Sequence, residues 1–341
     1  MTENRPPEVD VTSPHYIVPK EFETVSKGSI RNSAGLTFYE FRRTLRPKFF
    51  VVWTHIILAY VVLVFTALLI IRYGGSSLAG YLISIFGGAF LFGYTIAFIL
   101  LFFHEAAHYN LAGQRGVNDI LANIFVGAIV GQDINNYRPI HWGHHRFLGT
   151  TMDTEQSYFD PLDTKFIVQS LLGVKAFTVL SKREAKLKSD QSSAVSSMIG
   201  RQLVIGLLLN GLIVGLGIIS GNYQMAAAWV GGMLIVFPFF AAVRQVLEHR
   251  DENARSDVDH HTVAHGVINR LFGDGIIADT LGGAGFNRHL LHHWDPQLSY
   301  TRLRDLEQYL MDTPLAAALA SRQTTYFKTF VRLTTPEHAG R

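Results

Sequence analysis

The sequence predicts an all-α integral membrane protein with four transmembrane helices in two hairpins and a cytoplasmic helical cap holding a histidine-rich dimetal site. Hydrophobic residues make up 48% of the 341 residues and charged residues only 17%, whereas soluble proteins carry about 25% charged residues. Four apolar stretches are long enough to cross a bilayer. Three histidine clusters follow apolar stretches, and together they contain eight of the 15 histidines.

The predicted spans are apolar segments of about 20 residues, the length that a bilayer requires. They cover about residues 50–71, 78–103, 202–219 and 224–243. Very short polar linkers join the first to the second and the third to the fourth, which predicts two hairpins. Pro238 is expected to kink or loosen the fourth span near its cytoplasmic end. Two shorter apolar runs, 120–130 and 166–180, are predicted to be interfacial or re-entrant helices.

The distribution of basic residues predicts the orientation of the hairpins. The first hairpin tip carries Arg72 and the second carries no basic residue, whereas the stretch up to Lys48 and the segment 104–199 are rich in Lys and Arg. The positive-inside rule therefore places both termini and all three histidine clusters in the cytoplasm. The predicted domains are a polar N-terminal tail (1–45), a membrane domain (46–310) and a C-terminal cytoplasmic tail (311–341). The first 30 residues lack the apolar core of a signal peptide.

Composition excludes several classes of site. The chain has no cysteine, which excludes disulfides, thiolate metal sites and iron–sulfur ligation. Its net charge is only +3, and the basic residues lie beside apolar segments, which fits a membrane surface and not nucleic acid. Neither a dinucleotide fingerprint nor a P-loop is present, so bound nucleotide chemistry is not indicated.

The histidine clusters have the spacing of metal ligands on helices. They are His104-x3-His108, His141-x2-His144-His145 and His289-x2-His292-His293. Spacings of three and four residues bring side chains to the same side of a helix, and neutral imidazole is the commonest metal ligand. Eight ligands are too many for one tetrahedral site and favour a two-metal centre.

Other residues are candidates for supporting roles. His249, at the cytoplasmic end of the fourth span, is a candidate ninth ligand. His260, His261 and His265 lie in a polar stretch that is predicted to be a surface loop, although a ligand role stays open. Bound histidines need acceptors for their second ring nitrogen, and the candidate carboxylates are Glu105, Asp153, Glu155, Glu248 and Asp295.

Two alternative functions remain open from the residues alone. His104-Glu105-x2-His108 also matches the H-E-x-x-H motif of zinc proteases, in which the glutamate is the general base. An intramembrane protease of this kind leaves the other clustered histidines unexplained. A metal transporter is the second alternative, but transporters place their ligands near the bilayer midplane, and these clusters lie outside the predicted spans.

The order of the three clusters, interleaved with two membrane hairpins, resembles the membrane fatty acid desaturase and hydroxylase superfamily. HWGHHRFLGTTMDTE is similar to the family's second histidine box and GFNRHLLHHWDPQLSYTRL to its third. The resemblance covers about residues 45–310. It implies that the eight clustered histidines bind a non-haem di-iron centre. In acyl-CoA members an N-x3-H motif supplies a ninth histidine; here Gln245-x3-His249 occupies that place, and Gln245 would hold a metal-bound water.

The resemblance also implies an activity and partners. The expected reaction is O2-dependent introduction of a double bond into a fatty acyl chain by two iron ions. The alternative is hydroxylation or another oxidation of a lipid, alkane or carotenoid-like substrate by the same centre. Electrons would come from a separate ferredoxin, rubredoxin-like or cytochrome b5-like donor. The expected location is a bacterial inner membrane.

Two further sets of residues are assigned to substrate and donor. The candidate residues for an acyl tunnel are Phe102, Phe103, Phe237, Phe239 and Phe240. The candidate residues for docking an acidic electron carrier are Arg138, Arg146, Arg250 and Arg288, because complementary charge guides such encounters.

Overall fold

The computed structural model describes residues 22, 24–75, 77–175, 178, 181 and 193–335. The outer parts of the two predicted tails, 1–21 and 336–341, lie outside the described residues. Within these ranges the chain forms helices and turns, without a β-strand. The described α-helices are α1 Phe38–Thr44, α2 Phe49–Tyr73, α3 Leu78–Ala107, α4 Arg115–Ala122, α5 Ala128–Val130, α6 Ile134–Phe147, α7 Thr164–Leu171, α8 Ser193–Ile219, α9 Tyr223–Gly231, α10 Phe237–His249, α11 Ile276–Leu281, α12 His289–Trp294, α13 Leu303–Met311, α14 Ala316–Ser321 and α15 Tyr326–Thr334.

Among the residues that the structure describes, four helical segments are long and apolar enough to cross a membrane, as the sequence predicts. They are Phe49–Tyr73, Leu78–Ala107, Gly200–Ile219 and Tyr223–His249. The second and fourth spans continue past their predicted ends at residues 103 and 243. The 30 residues of the second span extend about 45 Å, compared with about 30 Å of hydrocarbon. The second span is therefore long enough for its histidine-bearing end to project from the membrane.

The second and fourth spans approach most closely at glycines. A Cβ atom added to Gly93 would lie 2.5 Å from the Cβ of Val236 and 2.6 Å from the carbonyl oxygen of Gly232. Small residues allow helix backbones to meet in this way. The contact falls on a π-helical turn, Gly232–Val236. The predicted irregularity of the fourth span is thus a π turn just before Pro238, since such turns accommodate the missing N–H of a proline in a membrane helix.

We expect Gly93→Val to lower the stability of the protein in detergent. The added methyl groups would push the second and fourth spans apart at the π turn, and overpacking of this kind costs about 1–3 kcal/mol. Gly87→Val is the matched control, because the nearest atom to its added Cβ is Ile83 Cγ2 of the same helix, 4.0 Å away. Thermal unfolding of the two variants should show a lower Tm for Gly93→Val alone. Equal Tm values would contradict the close contact.

A bent helical pair lies between the second and third spans. Arg115–Val130 and Ile134–Phe147 meet at an angle of 89°, so the predicted 120–130 segment is one arm of a broken or re-entrant element. A second π turn, Asn123–Gly127, interrupts the first arm. The hydroxyl of Tyr60 donates to the carbonyl oxygen of Phe125 at 2.6 Å, and Asn210 Nδ2 donates to that of Ile129 at 2.8 Å. Side chains of the first and third spans therefore hold this arm against the membrane helices.

The described part of the N-terminal region packs against the C-terminal helices. Phe22 and Phe38 contact the ring of Trp294, with centroids 5.3 and 5.0 Å apart. Lys27 Nζ donates to the carbonyl oxygen of Trp294 at 2.7 Å. The leucines of α13 and α14 complete this apolar cluster. Because Trp294 ends α12, these contacts fix the short helix that carries the third histidine cluster.

Candidate metal centre

Two of the long helices end in histidines. His104 lies in the last turn of α3 and His108 follows directly as its C-terminal cap, while His249 is the last residue of α10. All three side chains are buried in protein. The histidine-bearing ends of α3 and α10 do not contact lipid, because surrounding segments of the protein cover them. The ends of the second and fourth spans thus place three imidazoles in one region.

The other two clusters lie on shorter helices with defined starts. Asp133 caps α6 by accepting from the backbone N–H of Asn135 at 2.8 Å. This cap fixes the helix that carries His141, His144 and His145. The third cluster begins at His289, where a 3-10 turn, Phe286–Arg288, becomes α12.

The nine histidines meet in two groups through their Nε2 atoms. In the five-histidine group, His104, His292, His145, His141 and His108 form a chain of Nε2–Nε2 separations of 2.9, 3.0, 3.0 and 2.8 Å. The four-histidine group is a second chain, formed by His144, His249, His289 and His293, with Nε2–Nε2 separations of 3.1, 2.9 and 3.1 Å. Each group combines residues from at least three segments of the chain.

The Nε2 separations fit metal ligation and do not fit hydrogen bonding. Two nitrogens bound to one ion at about 2.1 Å and at right angles lie about 3.0 Å apart. A neutral ring nitrogen either carries a hydrogen or offers one lone pair. His292 Nε2 therefore cannot be fully paired with both His104 and His145, and His249 faces the same conflict in the other group. A cation in each group would use all of these lone pairs at once.

Burial keeps these imidazoles in the form that binds metals. Burial, and then the neighbouring imidazoles, hold the pKa values of His108, His145, His292 and His293 well below the usual range. The rings are accordingly neutral at physiological pH, and neutral imidazole is the ligating species.

A comparison with known families decides the assignment. The family model described as fatty acid desaturase matches residues 79–325. The chain belongs to the fatty acid desaturase family. The matched region begins in the second span and contains all nine histidines of the two groups, which confirms the resemblance seen in the sequence. Membership in the desaturase family supports an oxidoreductase with a di-iron type of centre.

Asp153 is the carboxylate most directly joined to the desaturase-family histidines. Its oxygens lie 3.0 and 3.1 Å from His144 Nδ1, and it is fully buried. Glu155 Oε1 lies 3.8 Å from His141 Nδ1, and Glu155 Oε2 accepts from Gln245 Nε2 at 2.5 Å. The structure thus brings Asp153, Glu155 and Gln245 to the edge of the two groups.

Glu105 lies close to its neighbouring histidine but is not joined to it. Glu105 Oε1 is 4.0 Å from His104 Nδ1, while Glu105 Oε2 accepts from the backbone N–H of Tyr300 at 3.3 Å. The side chain is buried. His104 and His108 share their group with three other histidines, which is not the two-histidine site with an open position that a zinc protease needs.

Two other predicted carboxylates are bound elsewhere. Glu248 accepts from Arg244 Nη1 at 2.9 and 2.8 Å, and from the hydroxyl of Tyr326. Asp295 accepts from Arg42 Nε at 2.5 Å. Their described contacts are thus with cations and a phenol, and they brace the helices around the two groups.

The predicted surface loop at 260–265 exposes Thr262 and Val263, but two of its three histidines are buried. His260 and His265 are buried, and only His261 is partly exposed. His265 Nε2 lies 3.2 Å from Arg250 Nη1, so a guanidinium occupies the position that a metal would need. None of the three belongs to either histidine group. The ring of His265 is buried because Arg250 and Phe159 pack against it, while Thr262 and Val263 of the same loop stay exposed.

The predicted docking arginines are mostly internal in this desaturase-family chain. Arg250 and Arg288 are buried, and Arg138 is largely so. Their partners are the carbonyl oxygen of Phe159 for Arg250, Glu307 and Asp274 for Arg288, and Asp119 for Arg138. Because Arg250 is buried and Arg288 and Arg138 are paired with carboxylates, these three cannot form the predicted docking patch. Arg146 is the exposed member of the set.

A cavity of about 190 Å³ borders both histidine groups. Phe103 and Phe237, two of the five predicted tunnel residues, line it, while Phe102, Phe239 and Phe240 do not. Its other borders include Leu100, Val130, Tyr137, Ala241 and Ala242. The space is therefore mainly apolar, with His104 and His249 among the polar groups that face it.

Sequence reasoning missed two aromatic residues at the centre. Tyr158 is fully buried; its hydroxyl donates to Asp153, and its ring centroid lies 5.1 Å from that of His249. Phe286 packs against His104 at 4.3 Å. Phe286 lies three residues before His289, but no spacing rule distinguishes either residue from an ordinary core aromatic.

Proposed function

We propose that the chain is an O2-dependent membrane oxidase with two irons, which introduces a double bond into a fatty acyl chain. The observation that carries the proposal is the convergence of the Nε2 atoms of nine histidines, seven of them buried, into two groups beside a mainly apolar cavity, within a region that matches the desaturase family. Its electrons would come from a separate donor protein.

Each histidine group would hold one iron. The first would be held by His104, His108, His141, His145 and His292, and the second by His144, His249, His289 and His293. When bound, the two irons supply the oxidising chemistry that amino-acid side chains lack, with O2 as co-substrate. Removal of two hydrogens from adjacent carbons would leave an alkene.

The remaining residues would orient ligands and substrate. Asp153 accepts from His144 Nδ1 and so fixes the tautomer in which Nε2 faces the site. Gln245 and Glu155 form a polar pair at the border of the cavity. Phe103 and Phe237 would exclude water and hold the chain so that one C–H bond faces the centre.

The same centre supports a second outcome. Hydroxylation, or another oxidation of a lipid, alkane or carotenoid-like substrate, would need the same ligands and a similar apolar cavity. The two outcomes differ in where one C–H bond lies relative to the site, so the products separate them.

We infer a topology from the charge pattern and the spans. Four spans in two hairpins would place both termini and a cytoplasmic cap on one side, with 46–310 as the membrane domain between two tails. A bacterial inner membrane is the proposed location, with the donor in the cytoplasm. Arg146, which is exposed beside the second cluster, remains a candidate contact for a ferredoxin, rubredoxin-like or cytochrome b5-like donor.

The decisive experiment is elemental analysis of purified, anaerobically reconstituted protein, followed by lipid profiling of cells that express it. We expect about two irons per chain, since each group would hold one ion, and new double bonds in the acyl chains. New hydroxyl groups would support the second outcome. About one zinc without iron would overturn the proposal and favour proteolysis with Glu105 as base.

A further inference from the structure

The short helix α11 exposes two adjacent isoleucines. Ile276 is 85% and Ile277 is 60% exposed, although α11 contains only six residues. Side chains of this size are usually removed from water on folding. The helix lies between the fourth span and the third histidine cluster, outside every predicted membrane segment. Together the two side chains form an exposed apolar surface whose contact with water is unfavourable.

The attachment point of α11 gives its depth. The hydroxyl of Tyr94 in the second span lies 2.7 Å from Thr280 Oγ1. Tyr94 precedes His104 by ten residues, which places it about 15 Å along the helix, back towards the bilayer. One and two turns further on, Phe90 and Phe86 are 49% and 71% exposed on the span surface. The isoleucines therefore lie beside a surface that faces lipid.

We propose that α11 inserts Ile276 and Ile277 into the edge of the hydrocarbon region, on the side of the membrane that faces the histidines. The occupant of this surface is lipid, because the exposed apolar surface is continuous with that of the second span. The residue of α11 that is buried against protein is Ala278, and Asn287 Nδ2 donates to the exposed Asp279 Oδ1 at 3.1 Å. A short helix that is held to the protein on one side and exposes isoleucines on another is suited to a membrane interface.

The insertion would position one wall of the metal centre. Asn287, which α11 holds, lies two residues before His289. Gly283 fits against Phe98 of the second span so closely that an added Cβ would lie 2.5 Å from Phe98 Cε2. A lipid contact at Ile276 and Ile277 therefore steadies the turn that leads into the third cluster.

The absence of cysteine from the chain allows a direct test. A nitroxide label is attached to Ile277→Cys in lipid nanodiscs, and its collision rates with O2 and with a water-soluble nickel chelate are measured by power-saturation EPR. Val64→Cys, at a 58% exposed position of the first span, gives the lipid reference. Asp257→Cys, whose native side chain is 61% exposed in a polar loop, gives the aqueous reference.

We expect the Ile277 label to collide with O2 several times more often than with the nickel chelate, as the Val64 label does. A label as accessible to nickel as that at Asp257 would overturn the insertion. A label shielded from both reagents would also overturn it, because protein would then cover the surface. The measurement does not need iron or turnover, so its outcome is separate from that of the proposed oxidase.

Discussion

Replacing His292 with alanine is expected to lower oxidation by more than the roughly 10- to 100-fold that loss of an outer hydrogen-bond partner causes. His292 Nε2 lies between His104 and His145, at 2.9 and 3.0 Å. Its removal separates His104 from the other members of the five-histidine group. We expect iron content to fall by about one ion per chain, since each group would hold one. Elemental analysis and product formation with a saturating reductant would be measured on the same sample.

His261→Ala is the control for this prediction. His261 lies outside both groups and contacts Gln156 at 3.2 Å, so iron content and turnover should match those of the parent. If His292→Ala kept both irons and full activity, the assignment of the five-histidine group would be wrong. A protease built on Glu105 would keep its activity in His292→Ala.

Asp153→Asn is expected to weaken iron binding or turnover by about 10- to 100-fold without unfolding the protein. The carboxylate accepts from His144 Nδ1 and from the hydroxyl of Tyr158. An amide has one acceptor oxygen, so one of these donors would meet an N–H group. His144 could then adopt the tautomer with the hydrogen on Nε2, which blocks its lone pair. Titration of iron against a competing chelator would measure the loss.

Asp257→Asn serves as the matched carboxylate change for that experiment. Asp257 pairs with Arg255 at an exposed position, where an ion pair contributes little. Its iron affinity should equal that of the parent. Equal affinities for Asp153→Asn and the parent would mean that Asp153 does not orient His144.

The sequence was sufficient to predict the four spans and the clustered histidines, because both leave local patterns. Apolar length identifies a span, and a spacing of three or four residues brings histidines together on a helix. His249 is not part of a histidine cluster in the sequence, but its position at the end of a span identified it as a candidate ligand. The structure brings it into the four-histidine group.

The division into two groups could not be read from spacing alone. In both H-x2-H-H clusters, the first and last histidines are four residues apart and share one group, while the middle histidine joins the other. His141 and His145 thus lie in the five-histidine group and His144 in the other. The partners come from distant segments, so only the tertiary packing decides the division.

Burial of charged residues was the other feature that the sequence did not reveal. Arg250 and Arg288 resemble exposed cations in a polar stretch, yet each is buried with internal partners. His260 and His265 were predicted at the surface for the same reason. The apolar signal of α11 was too short to detect, since two isoleucines do not form a periodic pattern.

The two histidine groups also connect helices that are far apart in the sequence. The five-histidine group connects α3, α6 and α12, and the four-histidine group connects α6, α10 and α12. Ions that bind only the folded state stabilise it by an amount that grows with the logarithm of their free concentration. Iron supply would then govern the lifetime of the protein as well as its catalysis. A cell short of iron would lose the enzyme to proteolysis, and would not store an inactive pool.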